Sequence, residues 1–211
     1  MIKCISIDGT DGVGKSTLIT HLSKKYNIVT LQRFYMTGIA PIDSEERKLW
    51  FRSEDVVLTT KIYIAGQKLR MNSAYEFKKG LHYKFLEKDN REKLIFIDRG
   101  VLSIQAYTYA ALKKGTDWDD NKILKFVHDE CVMDDYLNDL IDYSILLFDE
   151  ESLEEVISRR NYDRDDELLV RYQHDYYRRI NFHNKKIRII SPLKSEKNVL
   201  EESIDLIERM D

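Results

Sequence analysis

The sequence has little cysteine, little proline and no long apolar run. Two cysteines, Cys4 and Cys131, in 211 residues are too few for a disulfide framework, so the fold rests on its core, and a reducing compartment fits. Two prolines leave room for long unbroken helices. No apolar run approaches the ~20 residues of a membrane span, and the N-terminus enters a strand with no secretory signal. The expectation is a cytoplasmic protein that engages no membrane. The net charge of −3 gives no basic footprint for nucleic acid, and Lys113-Lys114 and Lys185-Lys186 are short and isolated. There is no repeat, linker or low-complexity stretch, and the length suits one domain over residues 1–211.

What is present is Gly9-Thr10-Asp11-Gly12-Val13-Gly14-Lys15-Ser16, which fits the phosphate-binding pattern G-x-x-x-x-G-K-[ST]. An apolar, β-branched run from Ile2 to Ile7 precedes it and reads as a buried strand. Leu18, Ile19, Leu22 and Tyr26 follow at helical spacing. Glycines let the backbone wrap an anion with N–H groups inward, and the helix start aims its positive end at the same point. Lys15 is expected to reach the β- and γ-phosphates of ATP, and Ser16 to hold Mg²⁺.

Further strands read at 27–31, 94–97, 144–148 and 187–190, alternating with helices. That alternation predicts an α/β fold, a five-stranded parallel sheet with helices on both faces. Arg33 follows the second strand and is either a ligand for an acceptor phosphate or a surface arginine. A long helical pattern begins after a cap at Ser53, with Leu58, Ile62, Ala65 and Leu69 as its apolar face and a break expected near Asn72-Ser73 or Gly80. Gln67 and Arg70 lie one turn apart on it, facing a cleft or solvent. Asp98-Arg99-Gly100 ends the third strand, where α/β proteins gather their ligands; Asp98 is a candidate for Mg²⁺ and Arg99 for an acceptor phosphate. Ser103 is the expected cap of the next helix. The segment 159–167, with Arg159, Arg160 and Arg164, reads either as an arginine-rich lid over ATP or as a solvated turn. A helix is read from 168 to 182, its aromatics as packing. Five scattered histidines make no metal site.

The motifs together resemble the thymidylate kinase family of nucleoside monophosphate kinases. The loop through Thr17 is similar to G-x-[DE]-G-x-G-K-[ST]-T. The stretch from Asp98 through Ser103 and Ala106 to Tyr107 is similar to D-R-Y-x-x-S-x-x-A-Y-Q, and Asp163-Arg164 resembles the D-R-x-E of its lid. The resemblance implies a P-loop kinase fold and transfer of the ATP γ-phosphoryl to a deoxynucleoside monophosphate, with dTMP expected. It also implies that Asp11 positions the acceptor, that Ser103 and Tyr107 lie near the nucleotide, and that a lid arginine is catalytic. The chain departs from the family at Arg33-Phe34-Tyr35, where an acid and proline are usual, at Gly100 for an aromatic, at Thr108 for a glutamine, and at Gln67 for an arginine. The alternative is a deoxynucleoside kinase, in which a glutamine such as Gln67 contacts the base. That enzyme needs a general base for the 5′-hydroxyl, and residues 32–42 offer Arg33 but no carboxylate. A nucleotide-hydrolysing switch is a third reading, for which no water-positioning residue stands out. The helices at 53–71 and 103–114 offer a homodimer face, although a core explains their stripes equally.

Overall fold

The structure is a computed structural model describing residues 2–26, 28–31, 55–85, 93–131, 140–159, 164–180 and 186–210, with backbone alone at 28–31, 81–85, 93 and 164–166. The elements, in order, are β1 (Ile2–Gly9), α1 (Lys15–Lys25), β2 (Ile28–Leu31), α2 (Val56–Phe85), β3 (Lys93–Asp98), α3 (Val101–Gly115), α4 (Asp120–Glu130), β4 (Tyr143–Leu147), α5 (Leu153–Ser158), α6 (Arg164–Arg179), β5 (Ile187–Ile190) and α7 (Glu196–Glu208). The strands pair in parallel in the order β2-β3-β1-β4-β5.

β1 is buried along its whole length, as a central strand covered on both faces must be. Its side chains alternate between two cores. Ile5 and Ile7 pack with Leu18 and Leu22 of α1, Phe96 of β3 and Ile207 of α7. Cys4 packs with Ile64 of α2, Ile104 of α3, Ile123 of α4 and Tyr177 of α6. Both cysteines are free and buried. The chain leaves β1 toward β2 over one face and leaves β3 toward β4 over the other. The connections diverge at the carboxyl ends of β1 and β3, and a crevice opens there.

Several expectations need correction. α2 runs unbroken for 30 residues; Asn72-Ser73 and Gly80 do not interrupt it, and Ser73 Oγ bonds back to the Leu69 carbonyl at 3.0 Å. Asp55 caps it, accepting the N–H of Leu58 at 2.9 Å; the expected cap Ser53 lies outside the described residues. The stripe Leu58, Ile62 and Leu69 faces outward, 53, 42 and 56 % exposed, while Ile64, Met71 and Ala74 face the core. The sequence pattern is apolar on both sides of this helix, so periodicity alone selected the wrong one. α6 begins at Arg164, so residues 164–167 of the expected lid are helix. Among the described residues no helix is long and apolar enough to cross a membrane.

Candidate active site

The loop between β1 and α1 turns on three left-handed glycines, Gly9, Gly12 and Gly14 (φ 139, 83 and 100°). A Cβ at Gly9 would also stand 2.6 Å from the Leu147 carbonyl and 2.9 Å from Val13, so only glycine fits. At Gly14 nothing lies within 4 Å of such a Cβ, and the loop is open on that side. The first turn of α1 carries no acid, and its N-cap Gly14 offers no side chain. Its N–H groups and the helix dipole are therefore directed at the crevice. Lys15 is buried, its Nζ 2.8 Å from the Gly9 carbonyl and 2.5 Å from that of Thr10. Ser16 and Thr17 follow in the first turn.

Beside the loop is a cleft of about 490 Å³ lined by Gly12, Thr17, His21, Arg159, Pro192 and Lys194, among others. Arg159 closes one side, donating Nη2 to the Pro192 carbonyl at 3.0 Å and Nε to Glu155 at 3.3 Å. A cleft with apolar walls and a few charged groups, Glu196 among them, beside a phosphate loop suits the nucleoside end of a triphosphate. Arg160 and Arg33 lie outside the described residues, as does the side chain of Arg164.

Across the loop, β3 delivers Asp98, Arg99 and Gly100. Asp98 pairs in register with Ile7 and by alternation falls on the face of Leu94 and Phe96, the α1 side. Ser16 and Asp98 are hard oxygen donors of the kind Mg²⁺ takes alongside phosphate and water, so the residues present fit that ion. Arg99 adopts the left-handed conformation (φ 69°), uncommon outside glycine. Its N–H donates to the Ile7 carbonyl at 3.1 Å. Its Nη2 pairs with Asp11 Oδ1 of the loop. Arg70 is 3 % exposed, not a solvated face. It donates Nη1 to the Asp98 carbonyl at 2.7 Å and Nη2 to the Arg99 carbonyl. It thus binds the turn that carries Arg99, and burial pulls its guanidinium below its ordinary value.

Gly100 has a steric reason. A Cβ there would lie 2.5 Å from Ser6 Cβ and 2.9 Å from Asp8 Oδ2, so the aromatic of the resembling family has no room. Ser103 does not cap α3, which starts two residues earlier with Gly100 as N-cap. Asp8 caps it from β1, accepting the Ser103 N–H at 2.9 Å and the Ser6 hydroxyl at 2.7 Å. Tyr63, Gln67 and Arg70 share one face of α2. Tyr63 stacks at 4.6 Å on Tyr107, and burial, opposed by Arg99 and then Arg70, pushes its phenol up to about 12. Gln67 is 6 % exposed and its Oε1 has no hydrogen-bond partner among the described residues. Thr108 is wholly buried under Cys131 Sγ at 3.6 Å and is no part of the site. Sequence reasoning missed Gln173 of α6, whose Oε1 accepts the Asp11 N–H at 3.1 Å. It sits among aromatics that read as packing, and no motif marks it.

No protein-family model matches the chain, and no curated protein sequence is similar to it. Solved structures are similar in shape. The thymidylate kinase from Candida albicans matches with a TM-score of 0.58 at 18 % identity, over 98 % of this chain and 91 % of that one. The deoxyadenosine kinase from M. mycoides with bound dATP matches with a TM-score of 0.56 at 18 % identity, over 98 % of this chain and 99 % of that one. The same kinase with the products dCMP and a flexible dCDP bound gives a TM-score of 0.55 at 19 % identity, over 97 % of this chain and 98 % of that one. The fold is the one these kinases share. The chain spans nearly the full length of each match.

Proposed function

We propose that this chain is a phosphotransferase that moves the γ-phosphoryl group of ATP to the 5′-phosphate of a deoxynucleoside monophosphate, with dTMP the expected acceptor. The observation that carries this reading is the setting of Arg99. It is a cation fixed at the strand end by Asp11 on one side and Arg70 on the other, across the phosphate loop from the cleft. An acceptor phosphate is already a nucleophile and needs cations around it. A nucleoside hydroxyl needs a base. Here Asp8 is engaged by Ser6 and the Ser103 N–H, Asp11 is paired with Arg99, and Asp98 falls on the donor side. The similarity to both a thymidylate kinase and a deoxyadenosine kinase supports phosphoryl transfer to a nucleosidic acceptor and favours neither.

In this reading the loop N–H groups and Lys15 hold the donor phosphates. Ser16 and Asp98 would hold Mg²⁺, which when bound neutralises phosphate charge. Arg99 orients the acceptor for in-line attack, and Tyr63, Gln67 and Tyr107 border the acceptor nucleoside, with Ser103 beneath. Arg159, bonded to Pro192, serves the nucleoside end of ATP, which leaves Arg160 or Arg164 to neutralise the transferring group.

A second reading, a deoxynucleoside kinase, draws on Gln67, whose buried Oε1 awaits a donor such as a base amino group. ADP release from ATP separates the two. Stimulation by dTMP with a diphosphate product is expected. Stimulation by thymidine or another nucleoside, and not by monophosphates, would overturn the main reading in favour of the second. ATP hydrolysis indifferent to every acceptor would sink both.

A further inference from the structure

Gln173 belongs neither to the phosphate loop nor to the strand-end turn, yet it holds the first of them. It lies mid-helix in α6, 3 % exposed, with Oε1 on the Asp11 N–H and Nε2 buried without a partner among the described residues. A leucine or methionine would fill this place without an amide to satisfy, so packing does not account for the residue type. Phosphate-loop N–H groups ordinarily turn toward the anion; that of Asp11 is turned toward α6. Fixing this peptide fixes where the Asp11 carboxylate hangs, and that carboxylate grips Arg99 Nη2. Arg70 fixes the other end of the same residue, at its carbonyl.

We propose that Gln173 is a positioning residue for the acceptor. Through Asp11 it sets the guanidinium of Arg99, and so ties the acceptor-binding turn to α6, the helix that starts within the arginine-rich segment. This rests on the reading of Arg99 as the cation that meets the acceptor. The link is short and stiff: a helix, one hydrogen bond, one peptide and one ion pair. A displacement of α6 moves the Asp11 peptide, and Arg99 follows. Acceptor affinity and the position of α6 are therefore coupled.

The test uses the whole chain as wild type, Gln173→Met, Gln173→Glu, Arg99→Gln and the double variant Gln173→Met/Arg99→Gln. Binding of dTMP and of thymidine is measured by titration calorimetry, alongside the KM for ATP and amide exchange at Asp11. Gln173→Met should weaken the acceptor that binds by about ten- to a hundredfold, the scale of a misplaced positioning group, with KM for ATP within about twofold. In the Arg99→Gln background Gln173→Met should cost nothing further, because Gln173 acts through that guanidinium. Gln173→Glu, which keeps an oxygen to accept the Asp11 N–H, should recover most of the loss. Independent, multiplicative losses in the double variant, or a KM for ATP that rises as much as acceptor binding weakens, would overturn the proposal. If the wild-type chain binds neither acceptor, the functional reading fails on its own. Exchange at Asp11 then still decides the link, since equal protection in wild type and Gln173→Met overturns it.

Discussion

Single atoms decide much of this site. Gly100 has ordinary backbone angles (φ −82°), so any residue could adopt them, and what excludes a side chain is Ser6 beneath it. Gly100→Ala should cost about 1–3 kcal/mol, as overpacking does, seen as a lower Tm; an unchanged Tm would mean that β1 and α3 are less closely joined than described. His174 offers a second case. It is 3 % exposed, with Nε2 3.0 Å from the Asp149 carbonyl and its ring 4.9 Å from Phe148. Burial first, then Arg178, lowers its pKa below the ordinary 6.5. The folded chain thus holds it neutral where the unfolded chain takes a proton, so its contribution is complete above about pH 6.5 and declines as the pH falls below it. Asp149, held low by Ser191 and the Glu151 N–H, loses its contribution only at a more acidic pH, below its ordinary 3.8. His174→Gln cannot titrate, and its Tm should fall less than that of wild type between pH 7 and 5; parallel curves would count against the assignment.

At the scale of elements, the phosphate loop was legible because its chemistry forces glycine at fixed spacing between an apolar strand and a helix. The strand end at Asp98-Arg99 was legible too, since Leu94 to Ile97 is a short apolar run that stops at charge. The helix α2 was not. Leu58, Ile62 and Leu69 share one face and Ile64, Met71 and Ala74 the opposite one, and a period of 3.6 cannot say which is inside when both are apolar. Nor does periodicity reveal a buried Arg70, because its partners are carbonyls of residues 98 and 99, remote in sequence and silent in composition. The two faces make a direct contrast. Ile64→Ala should cost about 2–5 kcal/mol, as buried aliphatic truncations do, and Leu58→Gln or Leu69→Gln within about 0.5 kcal/mol in either direction, as exposed changes do. Chemical denaturation checks this, and a large loss at Leu69 would show that its face is covered in solution.

The whole molecule arranges its sites by strand order. β1 stands between β3 and β4, so one crevice collects the loop after β1 and the turn after β3, with α6 held against the loop at Gln173. A ligand gripped there stabilises the entire sheet. Saturating ATP at about a hundred times its Kd should add about 2.7 kcal/mol, a rise of several degrees in Tm for a chain of this size. Lys15→Ala should melt near the wild-type temperature without ATP and show little of that rise with it; a full rise in this variant would remove Lys15 from the donor site. The same strand order bears on synthesis. β1 is made first, but its two neighbours begin at Lys93 and Tyr143. A nascent chain must therefore carry a strand that the fold buries along its whole length, unpaired on at least one edge, until residues beyond Tyr143 have left the ribosome. Long-range parallel pairing of this kind forms slowly and exposes sticky edges meanwhile. The feature that gathers the candidate groups at one point is thus also the one that makes early release or truncation of this chain prone to aggregation.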